Sequence, residues 1–528
     1  MAHRLPSLVA LGLLALAIGA PGAGTRVGAA PTLVVDNSFA IDTTDPQRAF
    51  DPTASIVDRA VYDTLFTYRK NDLQHPVPLL VRSWTSRGAR TFTFRLRRDV
   101  HFADGTPLTS ADVVFSLRRL VNLKGNPAFL LAGVEVSAGG RYTVVAESSA
   151  PVPQLPSVLA NPSTGIVNSK LVRAHGGTDA GDASTADHAE QWLNSSASHG
   201  AGSGPYALES YSRTSQIVLR ANPRYWGAKK PAFGGVVLRN MTAPTQLINI
   251  RRGPHQIAVD LSSAQAETLK GVAGLRVSRE PSPWVFYLFT NADPRVSQVT
   301  SNRRFQQAVR DAVDYRGIRA VAGPGAIQAP GLIPSMLLGA LSQESATGQD
   351  LPKARAALAA SGVGSQQVTL EYPSDVTING VPFATLAQKV QSDLRAAGFD
   401  IELAGSPVTT WQPRFRAGQV AFGLWLWAPD YPDPADYLVF TPGQLIALHA
   451  GWPAGSDPAI EALASKARAA TAPGARRALY RQIQLGLNAR SPFVPLIQPT
   501  QVFVSTSDLA GAVFSGAYDV DVTQITPK

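Results

Sequence analysis

The chain has 528 residues, of which 45% are hydrophobic and 16% are charged, and its formal net charge is +10. This length exceeds what one hydrophobic core supports, so more than one domain is expected, and the scattered basic residues form no arm that would indicate a nucleic-acid partner. The absence of cysteine excludes disulfides, thiolate metal sites, cysteine nucleophiles and a lipid-anchor cysteine in this sequence.

Residues 1–30 have the pattern of a secretory signal peptide. A short positive start at residues 1–4 precedes an apolar stretch at 8–20, and small residues follow near Ala29. The apolar stretch is shorter than the ~20 residues that a membrane helix needs. We therefore expect residues 1–30 to be removed and the mature protein to be exported, to the periplasm or to the cell surface.

The first half of the chain is predicted to hold short strands and two helices. A strand at residues 32–35 precedes a helix at 53–68, where apolar residues recur near helical spacing. Residues 91–97 alternate strictly between apolar and polar side chains, which is typical of a half-buried strand. Thr109 and Asp112 have the spacing of a capping box and predict the start of the second helix.

Residues 174–204 are rich in Gly, Ala, Ser, Asp and His and poor in core-forming residues. This composition predicts a loop or linker. Three histidines and several aspartates lie in it, but without the spacing of a defined metal site. We expect neither a metal nor a cofactor.

The second half predicts a parallel sheet. The entirely apolar run at 285–289 is typical of a buried strand, and a helix is predicted at 303–319. A strand at 368–370, a helix at 383–397 and a strand at 399–403 then form a β-α-β unit. Such a unit places its two strands side by side and parallel.

An apolar run at residues 420–424 leads directly into an aromatic, acidic and proline-rich stretch, Trp425-Leu426-Trp427-Ala428-Pro429-Asp430-Tyr431-Pro432-Asp433-Pro434. A buried strand that ends in a stiff loop suits a ligand site, because the strand supplies rigidity and the loop supplies the chemistry. The alternative is a strand-to-turn junction with core tryptophans, in which the aspartates cap turns.

Several motifs follow one another in a fixed order along the chain: residues 60–65, 102–109, 202–206 with 222–227, 305–315 and 427–431. In sequence and order they resemble the extracytoplasmic solute-binding proteins of peptide- and nickel-type ABC transporters, nearly from end to end.

This resemblance implies an α/β fold, a two-lobed clamshell of mixed sheets with flanking helices, plus a small extra domain. Lobe I would comprise residues 31–62, 197–283 and 496–528. The extra domain would be inserted in it at 63–196, and lobe II, at 284–495, would carry the site loop. The crossovers between the lobes would act as hinges that a ligand closes.

The resemblance also implies the main ligand-binding residues. Asp430 would pair with the α-amino group of a short peptide, since an amine taken out of water needs a charged partner. Trp427 and Trp425 would wall the cleft, and Tyr431 belongs to the same loop.

Two further positions are expected to contact the ligand, and one expected contact has no clear candidate. Ile41 would lend its backbone to an extended peptide, and Phe129 would reach the cleft. A partner for the peptide carboxylate is not evident, and Arg414 and Arg416 are candidates only by proximity. The length and identity of the ligand therefore stay open.

The expected function is that of an exported, monomeric, non-enzymatic receptor of an ABC importer. It would capture short peptides by hinge closure and deliver them to a membrane permease. One alternative is another small solute on the same fold, such as a sugar or a metal chelate. An alternative of another class, a secreted hydrolase, lacks a Gly-x-Ser-x-Gly elbow, a metal signature and a cysteine.

Overall fold

The computed structural model describes residues 30–528 except Ala40, Asn71 and Ser365. Residues 1–29 of the predicted signal peptide lie outside the described residues. Among the described residues, no helix combines the length and the apolar character that crossing a membrane requires.

The strands of the described chain are short and are numbered here in chain order. They are β1 Thr32–Asn37, β2 Phe66–Arg69, β3 Asp72–Pro78, β4 Val81–Arg87, β5 Thr91–Leu96, β6 Val134–Gly140, β7 Thr143–Ser148, β8 Tyr206–Tyr211, β9 Gln216–Ala221, β10 Gly235–Asn240, β11 Gln256–Ala258, β12 Leu275–Pro281, β13 Val285–Thr290, β14 Ile327–Gln328, β15 Val368–Pro373, β16 Thr377–Ile378, β17 Val381–Pro382, β18 Ile401–Ser406, β19 Phe422–Trp427, β20 Phe493–Gln498, β21 Thr500–Thr506, β22 Leu509–Ala510 and β23 Thr526–Pro527.

The α-helices are numbered in the same way. They are α1 Pro52–Val61, α2 Ser110–Asn122, α3 Leu155–Val158, α4 Ser169–Ala174, α5 Ala183–Ala186, α6 Glu190–Leu193, α7 Ala243–Asn249, α8 Ser263–Glu267, α9 Arg303–Ala312, α10 Tyr315–Ala322, α11 Leu351–Ser361, α12 Phe383–Ala396, α13 Val408–Arg416, α14 Leu445–His449, α15 Pro458–Ala469 and α16 Pro473–Arg490.

A seven-stranded sheet has the strand order β12-β21-β11-β1-β10-β9-β8. Its central strand β1 pairs in parallel with β10 and β11, and Leu33 and Val35 of β1 are fully buried. The segment after β1 runs to Asp51, whose Oδ1 accepts a hydrogen bond from Ala54 N at 2.8 Å and so caps α1. The predicted strand at 32–35 is thus confirmed as the centre of this sheet.

A six-stranded sheet has the order β14-β20-β13-β19-β15-β18. Every residue of β13 is buried, as its apolar sequence predicts. Strand β15 pairs in parallel with β18, and α12 connects the two, which confirms the predicted β-α-β unit. Strand β19 lies between β13 and β15, so the segment that leads into the site loop is held on both sides.

A four-stranded sheet, β4-β5-β7-β6, packs with helix α2. Residues Phe92, Phe94 and Leu96 of β5 are buried, as their alternation predicts. At the start of α2, Thr109 N donates to Asp112 Oδ2 at 2.9 Å, which confirms the predicted helix start.

The chain passes between the two larger sheets at two adjacent places, from β12 to β13 and from β20 to β21. The passages are hydrogen-bonded to each other. Ser282 N donates to Pro499 O at 2.9 Å, and Gln498 Nε2 donates to Ser282 O at 2.6 Å. The proposed division into lobe I, extra domain and lobe II, with hinges at these passages, stays a prediction.

The predicted helix at 53–68 is wrong at its C-terminal end, because α1 ends at Val61 and Phe66–Arg69 is a strand. Gly204 N donates to Val61 O at 2.9 Å, so another segment takes the carbonyl that a longer helix would use. A Cβ placed on Gly202 would lie 2.1 Å from Val61 O, so this close approach needs glycine.

Two other predictions need correction. The helix predicted at 303–319 is two helices, α9 and α10, because Val313 is extended and Asp314 begins a new helix by accepting from Gly317 N at 2.9 Å. The loop predicted at 174–204 holds the short helices α5 and α6 and a buried Asp187, whose carboxylate binds Arg119. This ion pair orders a segment that has few apolar residues.

Candidate functional site

The site loop starts from a rigid strand. Trp425, near the end of β19, packs on Trp411 with ring centroids 4.6 Å apart, and Val285 of β13 pairs with Trp427. The loop then leaves the sheet through Pro429 and Pro432, which restrict its backbone. Asp430 is thereby held just beyond the C-terminal end of β19, an interior strand of the six-stranded sheet.

The backbone of Asp430 is bound on two sides. Its N–H donates to Asp436 Oδ2 at 3.2 Å, and its carbonyl accepts from Asn161 Nδ2 at 2.7 Å. Trp427 Nε1 donates to the same Asp436 oxygen at 3.0 Å. Among the described residues, the carboxylate of Asp430 itself takes part in no hydrogen bond or ion pair. The backbone hydrogen bonds therefore fix the position of Asp430, and its carboxylate remains available to bind another group.

Burial raises the pKa of the Asp430 carboxyl to about 7. Burial, and next the nearby charge of Asp430, raise the pKa of Asp436 well above its usual range. Two acidic groups therefore share a poorly solvated place without a basic side chain beside them in the described chain. Such a pair can hold a proton, or it can bind an ammonium group.

Asp430 and Trp427 line two cavities. The smaller, of about 230 Å³, is mostly apolar and lies between the segment around Phe129 and the site loop. It is lined by Phe129, Leu130, Ala132, Val134, Val152, Gln154, Leu155, Val158, Trp427, Asp430, Tyr431, Ala435, Asp436, Val439 and Leu445.

The second cavity, of about 430 Å³, lies between the segment around Asp51 and Asp519 on one side and the site loop with Trp284 on the other. A third, of about 740 Å³, shares Asp51, Pro52, Trp284 and Asp519 with it. Strand β19 of the six-stranded sheet lines the second cavity through Trp425, and strands β1 and β21 of the seven-stranded sheet line the third through Asn37 and Gln501. The two cavities therefore form one cleft between the two larger sheets.

Most of the predicted ligand-binding residues meet at these cavities. Asp430 and Trp427 line the first and the second, Trp425 lines the second, and Tyr431 and Phe129 line the first. Their role as ligand contacts stays a prediction.

Ile41 is placed differently. Its side chain is buried, its carbonyl accepts a hydrogen bond from Tyr211 Oη at 3.1 Å, and it lines none of the three cavities. Its carbonyl therefore already has a partner within the chain.

The two candidate partners for a ligand carboxylate also lie away from the cavities. Arg414 forms an ion pair with Glu371, and Arg416 is exposed. Asp433 accepts from Ala435 N at 2.8 Å and so caps the 3-10 helix Pro434–Phe440.

Asp436, Asn161, Asp51 and Asp519 were not identified from the sequence. Asp436 follows Asp430 by six residues and reaches it through the 3-10 helix Pro434–Phe440. The other three come from distant segments, so only the fold brings them to the cleft. Among the residues that the structure describes, no group of three or more His, Asp and Glu side chains is arranged to hold a metal ion.

Comparison with known proteins gives consistent results. The model of the bacterial extracellular solute-binding proteins, family 5 Middle, matches residues 75–444. The chain is 27% identical over 494 residues to the probable D,D-dipeptide-binding periplasmic protein DdpA of Escherichia coli (strain K12), covering 92% of this chain and 91% of that protein. It is 24% identical over 532 residues to the periplasmic oligopeptide-binding protein OppA of the same organism, with 93% and 92% covered.

A solved structure is similar over nearly the whole chain. The periplasmic binding protein DppA of Helicobacter pylori, in complex with the peptide STSA, has a TM-score of 0.77 at 19% identity, covering 94% of this chain and 98% of that one. This likeness confirms the predicted two-lobed α/β fold.

Proposed function

The chain belongs to the bacterial extracellular solute-binding proteins of family 5, and we propose that it captures short peptides for an ABC importer. In this proposal the peptide binds in the cleft, the two lobes close over it, and the closed protein delivers it to a membrane permease. The protein acts as an exported monomer.

One observation carries the proposal: the Asp430 carboxylate lines the cleft and has no partner among the described residues. An ammonium group that leaves water needs a charged acceptor, because desolvation without one is prohibitive. A peptide's α-amine meets this requirement, and charge-assisted hydrogen bonds to Asp430 would stabilise it.

The surroundings of Asp430 favour binding. Trp425 and Trp427 are half-buried and line the cleft on the same side as Asp430. They exclude water, and a lower local dielectric strengthens the ion pair. The loop is stiffened by Pro429 and Pro432, so little conformational entropy is lost on binding.

Export and peptide transport are consistent with the relatives. Two of them are described as periplasmic peptide-binding proteins, DdpA for D,D-dipeptides and OppA for oligopeptides. At this low sequence identity, the relatives support a class of ligand for the proposal, and they do not indicate the length or the sequence of the peptide.

The test is isothermal titration calorimetry with di-, tri- and tetrapeptides, each with a free or an acetylated α-amine. We expect acetylation to weaken binding by about a hundredfold or more, the cost of leaving one member of a buried charge pair unmatched. Asp430→Asn should weaken the free peptides similarly. Asp400→Asn, at an exposed carboxylate outside the cavities, is the matched control and should bind as the wild type does.

Equal affinity for free and acetylated peptides, retained in Asp430→Asn, would rule out recognition of the α-amine. Absence of binding to every peptide in the library would contradict peptide capture itself. Because the Asp430 side chain makes no hydrogen bond within the described chain, the variant is expected to fold normally, which a thermal unfolding curve checks.

A further inference from the structure

The cleft is acidic at both of its ends. Asp430 lines the second cavity, Asp260 lines the third, and Asp51 and Asp519 line both. The described residues that line these two cavities include no lysine, arginine or histidine. The chain as a whole carries a net charge of +10, so the acidity of the cleft is a local feature that runs against its overall composition.

The carboxylates at the second end are only partly satisfied. Asp260 accepts hydrogen bonds from Ser38 N and from Gln246 Nε2, and Asp51 accepts one from Ala54 N. Among the described residues, the side chain of Asp519 takes part in no hydrogen bond or ion pair. Asp519 also has a left-handed backbone, with a φ of 55°, a conformation that Asp and Asn adopt more readily than most residues.

An independent observation lies in the same cavity. Asn37 is only 6% exposed and lines the cavity with Asp51 and Asp519. Its Nδ2 donates to Thr53 Oγ1 at 3.1 Å, whereas its Oδ1 accepts no hydrogen bond. A buried acceptor without a donor costs free energy, so this side of the cavity lacks a hydrogen-bond donor.

The electrostatics agree with this geometry. Burial raises the pKa of Asp51 to about 6. Burial, and next the charges of Asp260 and Asp51, raise the pKa of Asp519 to about 7. The charged forms are therefore costly in this cleft, and a bound cation would relieve that cost.

We propose that the cleft selects ligands with two cationic groups, one at Asp430 and a second, an ammonium or guanidinium, in the cavity of Asp51, Asp519 and Asn37. This inference rests on the proposed function and names its ligand class: short peptides that carry a lysine or arginine side chain. A multidentate donor of this kind satisfies two carboxylates and the free Asn37 oxygen together. Acidic peptides would meet only like charge in this cavity.

The experiment uses the full chain and a set of tripeptides with a free α-amine. One position at a time carries lysine, Nε-acetyl-lysine, norleucine or glutamate in an otherwise alanine sequence. We expect lysine, at the position that reaches the second cavity, to bind about tenfold or more tighter than acetyl-lysine or norleucine, with glutamate weakest. Spermidine is added as a polyamine without a peptide backbone.

Two variants remove the charge and keep the fold. Asp51→Asn retains an oxygen that caps α1, and Asp519→Asn retains a residue type that adopts the left-handed backbone. Each should reduce the preference for lysine over acetyl-lysine several-fold. Asp400→Asn should keep the full preference.

The outcomes separate this inference from the proposed function. If lysine and acetyl-lysine peptides bind equally at every position while the free α-amine remains necessary, the inference is wrong and the proposed function stands. If no peptide needs its α-amine, recognition of the α-amine at Asp430 is wrong; if no peptide binds at all, the proposed function fails. If spermidine binds more tightly than every peptide and loses affinity in Asp519→Asn, the cleft does select ligands with several cationic groups. Its ligand class is then polyamine, which overturns the assignment to peptides.

Discussion

Asp430 and Asp433 lie three residues apart in the site loop, and the structure gives them different surroundings. Asp433 is 6% exposed, and Arg476 Nη1 donates to its Oδ2 at 2.9 Å. Asp430 has no such partner among the described residues. The two side chains are chemically the same, so the difference comes from their neighbours. Asp433 stabilises the loop, and Asp430 remains available to bind a ligand.

This difference predicts opposite effects of one substitution. Asp433→Asn leaves Arg476 buried without its counter-charge and should lower the free energy of unfolding by about 3–5 kcal/mol. Asp430→Asn removes a half-buried carboxyl that has no partner among the described residues, and should not lower the free energy of unfolding. Urea unfolding followed by circular dichroism measures both, and similar stability in the two variants would show that the partners of Asp433 do not matter.

The raised pKa of Asp430, about 7, predicts how peptide affinity depends on pH. A bound amine needs the carboxylate, so below pH 7 the dissociation constant should rise by up to about tenfold per pH unit. Above about pH 8 the α-amine loses its own proton and affinity should fall again. Calorimetry between pH 5 and pH 9 tests this. Asp430→Asn should lose the acidic limb, and a profile that is flat from pH 5 to pH 7 in the wild type would contradict the mechanism.

The sequence was sufficient to predict Asp430 as a candidate, because it lies within one continuous motif at the end of an apolar strand and that motif resembles the site loop of the family. It was not sufficient for Asp436. Its carboxyl accepts a hydrogen bond from Asp430 N only because the 3-10 helix between them reverses the direction of the chain. Asn37 and Asp51 lie 393 and 379 residues before Asp430 in the chain, and Asp519 lies 89 residues after it. A local sequence pattern does not predict which distant residues meet, since their contacts depend on the tertiary fold.

At the scale of elements, a buried ion cluster joins helix α2 to two irregular segments. Arg119 is fully buried. It donates to Asp45 Oδ1 at 2.7 Å, to Asp187 Oδ2 at 2.7 Å and to Gln47 Oε1 at 2.9 Å. The segments around Asp45 and Asp187 contain few apolar residues, so this cluster holds them to α2 where apolar burial is scarce.

Replacing Arg119 should therefore destabilise the protein. Arg119→Met removes the buried cation between two carboxylates and leaves them only the contacts of the partly exposed Arg48, at 3.4 Å to Asp45 and 3.2 Å to Asp187. We expect a cost of about 3–5 kcal/mol at neutral pH. Arg118→Met is the matched control, because the neighbouring Arg118 donates only to the carbonyl of Val136, and its cost should be below about 1 kcal/mol. Equal effects of the two substitutions on urea unfolding would contradict the role of the cluster.

The same cluster predicts a dependence on acid. Burial acts to raise the pKa of Asp187, but the hydrogen bonds and the charge of Arg119, together with hydrogen bonds from Thr178 N and Arg48, outweigh it and lower the pKa to about 2. An acid with a lowered folded-state pKa stabilises the fold above its unfolded value, near 4, and loses that contribution as the pH falls through 2. The stability gap between wild type and Arg119→Met should thus shrink by roughly 2 kcal/mol between pH 5 and pH 2. A gap that stays constant would contradict this.

The secondary structure followed from the sequence where the pattern was local. The alternation at β5, the capping box of α2 and the apolar run of β13 each determine their own element. The end of α1 did not follow, because Gly202 and Gly204 approach it from a distant segment. The segment at 174–204 did not follow either, since its order depends on the charge of Arg119.

At the scale of the whole molecule, the cleft and the two chain passages form one mechanical unit. The passages at Ser282 and Pro499 lie side by side and bind each other, and Trp284, two residues after Ser282, lines the cleft. A ligand that contacts Trp284 is therefore in contact with the segment where the lobes would rotate. We expect binding and closure to be coupled, because a ligand that binds the closed form better shifts the population toward it.

A hydrogen bond between two residues that line the cleft makes this coupling testable. Asn161 Nδ2 donates to Asp430 O at 2.7 Å, which joins the segment before α4 to the site loop. Asn161→Ser keeps an oxygen to cap Ser163 N but is too short to reach Asp430. The loss of one hydrogen bond, about 1 kcal/mol, should weaken peptide binding about fivefold and favour the open form.

Small-angle X-ray scattering and calorimetry together measure this effect. The radius of gyration of ligand-free Asn161→Ser should exceed that of the wild type, and the two should coincide at saturating peptide, because ligand contacts then determine closure. Asn122→Ser is the matched control, since Asn122 donates to the carbonyl of Asp179 at the same 2.7 Å, away from the cleft. If both variants keep the wild-type radius and affinity, the bond between Asn161 and the site loop does not contribute to closure. If Asn161→Ser weakens binding without changing the ligand-free radius, Asn161 acts by holding Asp430 in place.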